Sequence, residues 1–137
     1  RLADFVLAMK RITNIIPRDM REALTGEKAS AALAALAGGD AGKAGFSTAL
    51  FSEEAEKTFH AAAELTARKL ADLDLPGGIA ESLAILEGLV PDINSFFDDV
   101  LINCEDEEVR VNRLRFLKAL NAAFGLFCDF SQISGEQ

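Results

Sequence analysis

The chain contains no tryptophan, no tyrosine, one histidine, two cysteines and three prolines in 137 residues. Without Trp or Tyr, stacking on nucleic-acid bases would fall to Phe, His or Arg. Cys104 and Cys128 are too few for a disulfide framework and form no CxxC pair, so reduced thiols in a cytoplasmic protein are expected. His60 has no second His or Cys to complete a zinc set, which leaves an exposed helix position as its expected place and no metal site. No apolar run approaches the roughly 18 residues of a membrane span, and no signal-peptide pattern opens the chain, so no membrane partner is expected. GxxxxGK[ST], GxGxxG and HExxH are all missing. Adjacent carboxylates such as Asp98-Asp99 and Glu53-Glu54 diverge by about 100° on a helix and do not converge on one proton. No residue is therefore expected to be catalytic.

What remains is half hydrophobic and 26% charged, enough for one domain with a real core spanning residues 1–137. A start at Arg1 rather than Met suggests a piece of a longer chain. The net charge of −8 argues against DNA capture by the whole surface, but leaves room for a local basic patch. The charge is segregated. Residues 10–21 hold Lys10, Arg11, Arg18 and Arg21 against Asp19 alone, and residues 110–118 hold Arg110, Arg113, Arg115 and Lys118 with no acid. Between them, residues 50–109 carry three cations and fifteen acids. Each basic segment is either a solvated helix face or half of one cationic surface.

Ala, Leu, Glu and Lys dominate, and a 3.6-residue period predicts an all-α helical bundle with no solenoid repeat. Leu2, Phe5, Val6, Met9, Ile12 and Ile16 form one stripe that Pro17 stops. Leu7 and Ile15 bracket Arg11 on another side, while Lys10 and Asn14 share a flank. Residues 27–37 read as an Ala-rich helix closed by Gly38-Gly39, and 38–47 as a flexible excursion. Ser52 is the expected N-cap of a helix reaching about Leu73, with Glu53, Glu54 and Glu56 near its positive end. Ile79, Leu83, Leu86, Val90, Ile93, Phe97 and Leu101 keep one helical phase through Pro91. That pattern fits a kinked helix or, preferably, two near-collinear helices with Pro91 at the first position, where it avoids an interior cost of about 3 kcal/mol.

The last helix is expected to start at Asp106 and to bury Val109, Phe116, Leu117, Leu120, Phe124 and Phe127. Arg113 points into that stripe and needs an anionic partner. Asp98, beside the core residues Phe96 and Phe97, is the expected one.

Phe96-Phe97-Asp98-Asp99-Val100 followed by Asp106-Glu107-Glu108-Val109-Arg110-Val111-Asn112-Arg113-Leu114 resembles a signature FFDxV…DExxRxNRL at the C-terminal end of the β subunit of bacterial glycyl-tRNA synthetases. Lys10-Arg11-Ile12-Thr13-Asn14-Ile15 resembles the KRxxNI element of the same region, and Asp129-Phe130-Ser131 its closing DFS. The resemblance implies an anticodon-binding domain of the helical DALR type. It further implies tRNA(Gly) as partner and a place in an α2β2 ligase of protein biosynthesis. In that enzyme the α subunit holds ATP, magnesium and glycine, so this segment would carry no cofactor. On that view Arg110, Arg115 and Lys118 contact phosphates, with Lys10 and Arg11 facing them across the bundle and Arg18 and Arg21 extending the patch. Asn14 and Asn112 offer the donor and acceptor that base reading needs. Each could equally be a solvated flank or a bond within the bundle. Two other readings are an arginyl-tRNA synthetase-type anticodon-binding domain and a non-enzymatic helical protein–protein module docking through Leu7 and Ile15.

Overall fold

The computed structural model describes residues 2–73 and 78–128. Among them there is no strand, and the helices are α1 (Leu2–Ile15), α2 (Gly26–Ala37), α3 (Ala41–Ala44), α4 (Glu54–Ala71), α5 (Ile79–Glu87), α6 (Val90–Asp99) and α7 (Glu107–Phe124). Single 3-10 turns at Arg18–Met20 and Thr48–Leu50 join α1 to α2 and α3 to α4. The all-α helical bundle expected from periodicity is what forms. The DFS residues Asp129, Phe130 and Ser131 lie outside the described residues, as do Pro76 and Gly77.

The stop signals act locally. Helix α1 ends at Ile15, two residues before Pro17, and the Arg21 Nε donates to the Ile16 carbonyl at 2.8 Å. Asp106 caps α7 by accepting from the Val109 N–H at 3.2 Å. Pro91 divides two helices, though it is the second residue of α6 rather than the first; its missing N–H is still one of the four that a helix start leaves unpaired. At α4 the cap is Glu53, not Ser52, because the Glu56 carboxylate folds back to accept from the Ser52 and Glu53 N–H groups at 2.9 and 2.8 Å.

Helix α7 packs against α1 and α2; α4 packs against α2, α5 and α6, and α1 in turn against α5 and α6. Phe116 is fully buried at the centre of a phenylalanine cluster. Its ring centroid lies 5.0 Å from Phe46, 5.3 Å from Phe51 and Phe59, and 6.2 Å from Phe96. These edge-on contacts add to burial worth about 1.5–3 kcal/mol per ring. Within the arc expected across α5 and α6, Leu83, Leu86 and Ile93 are buried, but Ile79 and Leu101 at its ends are exposed.

Residues 38–47 and His60 also depart from expectation. Residues 38–47 are not a structureless excursion: they contain α3, capped by Asp40 and closed by Gly45 in the left-handed region (φ 101°), and Phe46 enters the core. His60 is not an exposed surface residue. It is half-buried against Phe46 and Phe51, both 5.6 Å away, and burial pushes its imidazole below the ordinary value against the pull of Glu64.

Candidate nucleic-acid interface

Of the cations that define the two basic segments, several are committed to the fold. Arg113 is buried, as expected, but its partner is Glu56 and not Asp98. The Arg113 Nε and Nη2 donate to the two Glu56 carboxylate oxygens at 3.1 Å each, while Nη1 reaches the Leu101 carbonyl at 2.6 Å and Nη2 the Ser52 hydroxyl at 3.2 Å. Arg113 is 4% exposed and Glu56 fully covered. Asp98, at the solvent end of α6, is exposed. Burial by itself would raise the Glu56 carboxyl; the Arg113 guanidinium and the two backbone N–H donors outweigh it and hold the group below the usual carboxylate range. Burial likewise opposes the Arg113 charge, and Glu56 restores it. Every side-chain nitrogen or oxygen buried among the described residues has a partner. One guanidinium thus ties α7 to the start of α4 and to the turn after α6.

Asn112 is also taken. It is 4% exposed; its Oδ1 accepts from the Ser47 N–H at 2.7 Å and its Nδ2 donates to the Ser47 carbonyl at 2.9 Å. A side chain spent on one backbone residue in this way is not free to read a base, which corrects that expectation. Arg110 is half-buried and donates to the Cys104 carbonyl at 3.2 Å. The polar residues of the RxNRL segment therefore pin two connections, α3–α4 and α6–α7, onto α7.

The outward cations of α7 meet company that the sequence reading missed. Arg115 and Lys118 line a groove of about 310 Å³ between α7, α2 and α3, together with Lys28 and Lys43. Among the described residues Glu22 is the one acid lining it, paired with Lys28 at 3.3 Å in a half-exposed contact of little energetic weight. Arg115 also borders a larger cavity of about 760 Å³ beside it, lined by Phe46, Ser47, Leu50, Val111 and the two carboxylates Glu107 and Glu108. Lys28 and Lys43 sit one per segment in Ala/Gly-rich sequence, where no local pattern marks them.

The N-terminal cations go elsewhere. Arg11 lies 4.7 Å over the Phe97 ring and donates to Asn94 Oδ1 at 3.1 Å, placing it on the α1–α6 seam. Lys10 and Asn14 are exposed on α1, and no residue of α1 lines the α2–α3–α7 groove. The expected shared groove of N-terminal and C-terminal cations is not formed. Leu7 is 60% exposed, but Ile15 packs on the core, so the pair offers no joint docking patch.

The geometry is that of an all-helical segment presenting one cation-lined groove. No family model and no solved structure matches the chain. It is similar to glycine–tRNA ligase β subunits: 34% identical over 128 residues to that of Nitratidesulfovibrio vulgaris (93% of this chain, 16% of that protein) and 40% over 86 residues to that of Desulfatibacillum aliphaticivorans (63% and 12%). The Myxococcus xanthus β subunit is 28% identical over 137 residues, covering 98% of this chain and 17% of the relative. The chain spans 12–17% of the length of these relatives.

Proposed function

We propose that this chain is a tRNA-recognition segment of a glycine–tRNA ligase β subunit, of the DALR anticodon-binding type, and is itself non-catalytic. It contributes tRNA(Gly) binding to an ATP-dependent aminoacylation carried out on the α subunit of a cytoplasmic enzyme. The observation that carries the reading is the groove in which Lys28, Lys43, Arg115 and Lys118 face one another on a chain of net charge −8. Four cations around a small concavity suit the phosphates of a single-stranded loop, which fix register, while base edges supply specificity. Lys10 and Asn14, exposed on α1, belong to a separate face and would touch RNA only where the loop wraps past α6. Three or four phosphate contacts give a log–log salt slope of about −2 to −3.

The test uses the ligase assembled from the full-length β subunit and its α subunit. Lys43→Glu/Arg115→Glu/Lys118→Glu should raise the KM for tRNA(Gly) at least about tenfold, equivalent to about 1.4 kcal/mol, with ATP–glycine activation unchanged. An unaltered KM for tRNA rules the reading out. Binding of tRNA(Arg) in preference to tRNA(Gly) would favour the arginyl-type alternative instead.

A further inference from the structure

The groove has a structural problem of its own. Lys43, Arg115 and Lys118 bring like charges to one groove, where only Lys28 has an acid beside it, Glu22. Lys43 is on α3, a helix of four residues that is too short to persist unaided. Ala41 and Ala44 seat α3 on the core, and α3 lies against α2. Two further attachments fix its C-terminal side, next to Lys43. Phe46 packs against both Phe51 and Phe116, and Ser47 is gripped through its backbone, N–H and carbonyl together, by the Asn112 side chain. Asn112 stands one helical turn before Arg115 on α7.

We propose that Asn112 is a positioning residue for RNA binding: its two bonds to Ser47 hold Lys43 in register with Arg115 and Lys118, so that the groove meets phosphates with its cations already in place. The inference rests on the reading of this groove as a tRNA site. Pre-organisation of this kind raises affinity without adding a contact, because the cost of ordering is met before the ligand arrives.

Both Asn112 bonds go to backbone atoms, which supplies an internal control. Ser47→Ala leaves them intact; Asn112→Ala removes both; Asn112→Asp keeps the shape and the acceptor but sets a carboxylate against the Ser47 carbonyl. In the ligase with its full-length β subunit, tRNA(Gly) affinity is measured against salt concentration at a temperature well below melting. Asn112→Ala should weaken binding about three- to tenfold and flatten the salt slope by about 0.7, the loss of one single-strand phosphate contact. Lys43→Ala should do the same, the double variant should be no worse than Lys43→Ala alone, and Ser47→Ala should bind as the parent does. Asn112→Asp replaces Asn112→Ala if the latter fails to fold, with the same expected flattening.

A purely structural asparagine would lower the melting temperature while Asn112→Ala kept the parent's tRNA affinity and salt slope; that result overturns the proposal. So does a double variant whose losses multiply. If Lys43→Ala and Arg115→Ala/Lys118→Ala all bind tRNA as the parent does, the groove itself is not the RNA site, and the underlying reading fails rather than the role of Asn112 within it.

Discussion

Residues 10–21 and 110–118 each hold four cations, and the fold treats them differently. In the first segment Arg11 lies on Phe97 and Asn94, and Arg21 closes the end of α1, so these cations serve the edges of a peripheral helix. In the second, the central position of α7 sorts neighbours by direction. Arg113 turns inward to Glu56, Arg110 turns to a loop carbonyl, and Arg115 and Lys118 turn out to meet Lys28 and Lys43. Equal charge in sequence thus becomes a cation-lined groove only where other elements bring their own cations to it.

The largest effect that would test this contrast lies at the inward arginine. Arg113→Ala should destabilise the fold by about 3–5 kcal/mol, because it strands the Glu56 carboxylate in the core. Denaturant unfolding measures it, and Asp98→Ala should leave the midpoint unchanged. An equal loss for both would return the ion pair to α6. Next in size, Arg115→Glu/Lys118→Glu should weaken tRNA(Gly) binding about tenfold, or about 1.4 kcal/mol. Lys10→Glu/Arg11→Glu should cost less than threefold in the same assay. Equal losses would mean that both segments face the RNA.

The smallest effect concerns pH. Burial holds the His60 imidazole below its ordinary value in the folded chain, so the unfolded chain takes up that proton more readily. Stability should therefore fall as pH drops below about 6.5 and level off once the folded imidazole is also protonated. His60→Phe should flatten that part of a melting-temperature profile, and an unchanged profile would place the histidine in solvent.

Much of the architecture was legible because it is set within one helical turn. Pro17, Pro91 and Asp106 act on their immediate neighbours, and the 3.6-residue period places Phe116, Leu117 and Leu120 inward whatever they meet there. The burial of Arg113 was legible for the same reason, since apolar residues three and four positions away surround it. Its partner was not. Glu56 reads in sequence as one of several acids favouring a helix start, and only the packing of α4 on the buried side of α7 selects it over Asp98. The 38–47 segment misled because Gly and Ala composition describes an isolated chain. Phe46 and the Asn112 grip make it part of the body.

The sequence by itself determined where helices begin, which faces are apolar, and that an arginine on one of those faces requires an acid. These follow from sterics, capping and desolvation acting between residues at most four apart. Tertiary structure alone decided which acid answers Arg113 from 57 positions away, which backbone Asn112 holds from 65 positions away, and that Lys28 and Lys43 stand opposite Arg115 and Lys118. Those choices depend on how whole helices pack, and packing follows the sum of many side-chain volumes rather than any local pattern.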